Sequence, residues 1–154
     1  MHTLVTLRLD FCNALYKGLP LGLVRKLQLV QNMAARLVTG TPRGGDHITP
    51  VLKSLHWLSI SFWVTYKVLV ITFKALHGLG LGYLRDRLLP YNPPCTPRAS
   101  GKNLFQSAKT RLTNITQRTF SSSAPRLWNG LPGEIHQLNS LAELKKAIKT
   151  RLTI

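Results

Sequence analysis

Acidic residues are the scarcest class in this 154-residue chain: five, against 21 lysines and arginines, so the formal charge is +16. They are Asp10, Asp46, Asp86, Glu134 and Glu143, scattered singly along the sequence. Two-metal phosphoryl chemistry and two-carboxylate glycoside hydrolysis both need carboxylates that converge, so this scatter excludes them as expectations. Cysteine is nearly absent as well. Cys12 and Cys95 lie far apart and form no Cys-x-x-Cys pair to hold zinc or run a redox cycle. The histidines His47, His56, His77 and His136 match no zinc spacing and read as structural or capping residues. No glycine-rich phosphate loop is present either. The run Gly78-Leu79-Gly80-Leu81-Gly82 follows no strand and lacks a Gly-Lys-Ser/Thr ending. No cofactor, no metal and no catalytic residue is therefore expected.

Long apolar runs are limited to residues 57–73, which contain Ser59, Ser61, Thr65 and Lys67. Seventeen residues is the bottom of the spanning range, and a central lysine costs about 2.5–3.5 kcal/mol on insertion scales. A buried helix with one wet stripe, through Lys67 and Lys74, explains the run better than a membrane span. The opening stretch is broken by Arg8 and Asp10 before a signal peptide could form, so an intracellular place, nucleus or cytoplasm and not secreted, is expected. Asn114-Ile115-Thr116 then reads as a chance sequon.

What is present is an apolar fraction of 44%, enough for a core, and strong helical periodicity. The pattern predicts a mainly α fold of five to seven helices with a proline-rich loop and room for one small β-hairpin. Leu4, Leu7, Phe11 and Leu15 share one face of a helix over 3–17. Leu21 to Thr39 forms the clearest helix, with Leu23, Leu27, Val30, Ala34, Leu37 and Val38 on the apolar face. Its opposite face carries Arg25, Gln28, Asn32 and Arg36, with Leu29 as the exception. Thr49-Pro50 predicts an N-cap and a short helix over 51–55. Ser59 or Ser61 would cap the long apolar helix that ends at Gly78, and a short helix over 83–89 follows. Ser123-Ala124-Pro125 would open a short helix through Trp128. Ser140-Leu141-Ala142-Glu143 is a capping box that starts the last helix, with Leu141, Leu144, Ile148 and Leu152 facing inward. Trp57, Trp63 and Trp128 sit in apolar runs and are expected in the core.

Four of the nine prolines fall between Pro90 and Pro97 and mark the best candidate boundary. Three regions follow: helical residues 1–89, a proline-rich basic loop at 90–110, and a small helical region at 111–154. The hairpin would pair 104–108 with 111–115. From Arg87 to Arg126 there are seven bases and no acid. Such uncompensated charge suits phosphate binding through counterion release, and equally a solvated basic surface with no dedicated ligand. The candidate contact residues are Arg25, Asn32 and Arg36 on one helical face, Arg98, Lys102, Lys109 and Arg111 in the acid-free stretch, and Lys145 and Lys149 in the last helix. Cations late in a helix also favour its dipole, so the last pair has a structural reading too.

Several motifs, in collinear order, carry a resemblance. They are Arg8-Leu9-Asp10-Phe11-Cys12-Asn13-Ala14-Leu15 with Gly18-Leu19-Pro20, then Leu27 to Leu37, His47-Ile48-Thr49-Pro50 and Leu55-His56-Trp57-Leu58. Lys74-Ala75-Leu76-His77-Gly78, Ala124-Pro125-Arg126-Leu127-Trp128-Asn129-Gly130-Leu131-Pro132 and the ending Leu144 to Leu152 follow. Together they resemble the region beyond the polymerase core of LINE-type (non-LTR) retrotransposon reverse transcriptases of the jockey-like branch. Leu7 and Ser59 depart from that pattern, which has serine and proline there, and residues 90–110 match it poorly. The resemblance implies a thumb-and-tail fragment of an RNA-directed DNA polymerase. Its partners would be RNA or an RNA–DNA hybrid, held by phosphate contacts, and in the parent protein the palm and fingers. It also implies no catalysis here, because the Tyr-Ala-Asp-Asp palm motif and the endonuclease of such proteins are absent from this chain. Two other readings stand beside it: a degenerate retroelement-derived frame with no selected biochemical function, and a basic membrane-surface protein.

Overall fold

The computed structural model of the protein describes residues 7–42, 47–91, 104–107 and 119–153. Among them the secondary structure is helical, without a strand. The helices are α1 (Leu21–Thr39), α2 (Ile48–Ser54), α3 (Ile60–Leu76), α4 (Gly82–Asp86), α5 (Phe120–Asn129), α6 (Gly133–His136) and α7 (Leu141–Thr153), and a 3-10 turn spans Asn13–Tyr16. The mainly α fold expected from the periodicity is thus observed. No described helix is long and apolar enough to cross a membrane.

The chain divides into two compact units, Met1–Thr65 with Leu152–Ile154, and Tyr66–Arg151. The division falls inside α3, while the boundary expected at residue 90 lies within the second unit.

In the first unit, the helix expected over 3–17 breaks. Residues 7–10 are helical, Cys12 adopts the left-handed conformation at φ 51°, and the 3-10 turn follows. That reversal shifts the phase of the segment. Leu9 and Asn13 are buried, and Leu7, Phe11 and Leu15, expected inward, are exposed. Leu9 joins Ile60 and Val64 in a small core, against which Tyr16, Val24, Leu27 and Trp63 pack. α1 packs on α2 and ends at Gly40, whose φ of 69° lets the Thr41 N–H reach back to the Arg36 carbonyl at 3.0 Å.

The start of α2 also departs from expectation. Its N-cap is His47 rather than Thr49: Nδ1 accepts from the Thr49 backbone N–H at 3.4 Å and lies 2.9 Å from the Thr49 hydroxyl. α2 closes with His56 in the left-handed region at φ 55°, where the Trp57 N–H reaches the Leu52 carbonyl at 2.8 Å. The six-to-one bond is that of a Schellman motif, which ordinarily takes glycine at the left-handed position.

In the second unit, α3 ends as expected at Gly78, with φ 70° and the Leu79 N–H on the Lys74 carbonyl at 2.9 Å. Lys67 and Lys74 are half-buried. α5 begins at Phe120, before the expected Ser123, so Pro125 lies inside the helix. Trp128 is 1% exposed; the His136 ring stacks on it at 5.2 Å and 9°, and His136 Nε2 lies 2.9 Å from the Trp128 carbonyl oxygen. Phe105 forms an isolated antiparallel bridge with Pro90. Residues 111–115, its expected hairpin partner, lie outside the described residues. Leu144 and Ile148 of α7 are buried, as the periodicity predicts, Leu141 is half-buried, and so is Leu152, which belongs to the first unit.

Candidate nucleic-acid interface

The rotation of α1 about its own axis decides which of its side chains meet solvent. Two glutamines set that rotation. Gln31 is 1% exposed and donates from Nε2 to the Leu58 carbonyl at 2.9 Å. Gln28 Oε1 accepts from the Ile60 backbone N–H at 2.8 Å, which caps the start of α3 from a different helix. The Gln28 amide also donates to Gln31 Oε1 at 2.9 Å and to Asn32 Oδ1 at 2.8 Å. A helix start and a loop carbonyl thereby find their partners, which buried backbone groups require.

This anchoring overturns the apolar face expected for α1. The inward side runs through Val24, Leu27, Gln28, Gln31 and Ala35, about 90° from the expected centre at 100° per residue. Leu23, Val30, Leu37 and Val38, expected in the core, are exposed, and so are Leu29 and Met33. Hydrogen-bond satisfaction of the α3 entry outweighs burial of the leucine stripe here, because an unpaired buried amide costs about 1–3 kcal/mol.

Arg25 stands exposed on this helix. Arg36 is half-buried and donates from Nη1 to the Pro42 carbonyl at 2.7 Å, bracing the turn after α1. Asn32, expected as a contact residue, is half-buried and its carbonyl oxygen is engaged by Gln28. It belongs to the anchoring network. Lys26, which was not singled out from the pattern, is exposed on the same helix, and α1 carries no acid. Along the axis Arg25 and Arg36 are about 16 Å apart, from the rise per residue.

In the second unit, Lys145 and Lys149 are exposed one turn apart on α7, and Lys149 Nζ lies 5.9 Å from the centre of the Tyr66 ring. That distance suits a weak cation–π contact. Arg98, Lys102, Lys109 and Arg111 lie outside the described residues. The segments that flank the first two of them are joined, however. The Tyr91 N–H donates to the Leu104 carbonyl at 2.9 Å, and the Gln106 N–H to the Leu89 carbonyl at 2.8 Å. The other edge of Phe105 is satisfied by a side chain: Asn129 Oδ1 accepts from the Phe105 N–H at 3.0 Å, and Asn129 Nδ2 donates to the Phe105 carbonyl at 2.8 Å. Asn129 thus imitates a neighbouring strand. No motif pointed to it beyond its place in Trp128-Asn129-Gly130.

Among the described residues no group of three or more His, Cys, Asp or Glu side chains is placed to hold a metal ion. Trp128 is buried, and Trp57 and Trp63 are half-buried. What the geometry offers is positive charge on a firmly oriented helix.

Compared with family models, curated proteins and solved structures, the chain shows no significant match to any of them.

Proposed function

We propose that this chain is a non-catalytic, thumb-like C-terminal fragment of a retroelement reverse transcriptase that binds RNA or an RNA–DNA hybrid through phosphate contacts. The observation that carries the reading is the acid-free helix α1, held in one rotation by Gln28 and Gln31 while Arg25 and Lys26 stay exposed. A net charge of +16 on a chain with five acids supports it, as does the collinear series of motifs. Phosphate contacts of this kind give register and affinity without reading bases.

On this reading the chain performs no polymerase chemistry of its own, since its sequence lacks the palm acids that hold the metals. Primer extension with magnesium or manganese should stay at background; extension above that level overturns this part of the proposal. Binding is tested by fluorescence anisotropy of a labelled RNA–DNA hybrid across a salt series. The logarithm of the affinity should fall linearly with that of salt, at about −0.9 per phosphate neutralised, with little change between sequences. Absence of binding even at about 50 mM salt, where phosphate contacts are strong, contradicts the proposal.

A further inference from the structure

All the exposed large hydrophobic side chains of the second unit, among its described residues, fall within one segment. They are Leu79, Leu81, Tyr83, Leu89 and Tyr91, each between 50% and 63% exposed. The backbone of this segment is tied to the rest of the unit. Gly80 lies so close to the end of α3 that a Cβ there would stand 3.2 Å from the Ala75 backbone nitrogen. Leu84 and Leu88, one helical turn apart, are half-buried and buried. At the far end, the bonds to Leu104 and Gln106 join Leu89 and Tyr91 to the Phe105 segment. With Leu84 and Leu88 inward, the outer side keeps three leucines, two tyrosines and the exposed charges Arg85, Asp86 and Arg87. Neither arginine side chain and neither tyrosine ring or hydroxyl has a partner among the described residues.

The mixture of side chains selects the occupant. Leucine gains by leaving water for hydrocarbon, a tyrosine ring settles at headgroup depth, and arginine is drawn to anionic lipid. A single-stranded RNA would use the tyrosines for stacking and the arginines for phosphates, but would leave Leu79, Leu81 and Leu89 in water. A second copy meeting this one through the same patch would set Arg85 and Arg87 against arginines, with Asp86 as the one acid to answer them. An anionic bilayer gives all three residue types a place, and a charge of +16 draws the chain toward it. We propose that residues 79–91 dock the protein on an anionic lipid surface. Leu79, Leu81 and Leu89 enter the upper acyl layer, Tyr83 and Tyr91 lie among the headgroups, and Arg85 and Arg87 meet lipid phosphates. This docking does not rest on the phosphate contacts of α1, which belongs to the other unit.

The test uses the full chain and vesicles of phosphatidylcholine, either alone or equimolar with phosphatidylserine. Flotation should show strong binding to the mixed vesicles and weak binding to the neutral ones. Leu79→Gln with Leu81→Gln changes no charge and alters two exposed positions. The helical circular dichroism should therefore persist while binding to the mixed vesicles falls about tenfold or more. Arg85→Gln with Arg87→Gln should weaken it by a similar factor. Lys53→Gln with Arg126→Gln removes the same charge from exposed positions elsewhere and should cost about threefold or less. Absence of binding to the mixed vesicles overturns the proposal, as does indifference to the leucine changes. A charge control as damaging as the Arg85 and Arg87 changes also overturns it, because the attraction would then be general. Binding of single-stranded RNA that falls with Tyr83→Ala and Tyr91→Ala would assign the patch to RNA. A dimer in sedimentation that the leucine changes disperse would assign it to a second copy. Either result displaces the lipid surface.

Discussion

The two units bury their cores by different means. Among the described residues the second unit encloses twelve buried hydrophobic side chains, from Val68 to Ile148, the largest of them Trp128. The first encloses five, namely Leu9, Ala35, Leu52, Ile60 and Val64, beside the buried amides Asn13 and Gln31. Most of the exposed large hydrophobics belong to the first unit as well. Apolar burial contributes about 25 cal/mol per Å² without directional demands, whereas an amide contributes only where its partner stands. The second core is therefore held mainly by apolar volume, although Thr72, Ser122, Ser123 and His136 are buried in that unit too, and the first depends more on the oriented bonds of Gln28 and Gln31. Orientation is what leaves the first unit with exposed apolar side chains and exposed bases on one helix.

Substitutions separate the two modes. Trp128→Ala should have the largest effect, about 3–5 kcal/mol, because it empties the site under His136 and Phe105. Urea unfolding followed by hydrogen exchange of the second unit's amides measures it, and a loss near zero would show that Trp128 does not fill that core. Gln28→Ala should come next, at about 1–3 kcal/mol, by stranding the Ile60 N–H and releasing Gln31 and Asn32. Its signature is faster exchange at the Ile60 amide. Gln28→Leu, which adds apolar bulk at the same place, should fail to restore stability if bonds rather than volume hold this unit. Asn129→Ala removes both bonds to Phe105 and should destabilise by about 1–2 kcal/mol, with the Phe105 amide losing protection. The smallest expected change has the opposite sign. His56→Gly relieves a left-handed residue at the end of α2 and should raise stability by up to about 1 kcal/mol, seen as a higher melting temperature.

Periodicity and glycine stops made the helical class legible, and α1 appears over the expected span, Leu21–Thr39. The inward face of α1 was not legible. Counting leucines points to Leu23, Val30 and Leu37, but the start of α3 needs an acceptor at the Ile60 N–H and finds it in Gln28, a partner 32 positions away. A sequence pattern carries no term for a bond of that range. The break at Cys12 escaped for a related reason, since a left-handed cysteine has no local signature as glycine does. At the candidate interface, the polar face expected for α1 identified Arg25 and Arg36 as cations on one helix. The engagement of the Asn32 carbonyl by Gln28, and the exposure of Lys26 on the same helix, depend on the same glutamine bonds.

The most direct test compares salt dependence after neutralising one unit's cations at a time. Arg25→Gln with Lys26→Gln keeps helix propensity, and Lys145→Gln with Lys149→Gln does the same on α7. Binding of a labelled RNA–DNA hybrid is then measured for both double variants and the unaltered chain between about 50 and 200 mM salt, a range over which phosphate contacts lose most of their strength. The expected result is a slope shallower by about one to two for the α1 pair, and a smaller change for the α7 pair, where Lys149 lies over Tyr66. An unchanged slope with Arg25 and Lys26 neutralised would mean that the charge acts diffusely and that α1 is not the interface.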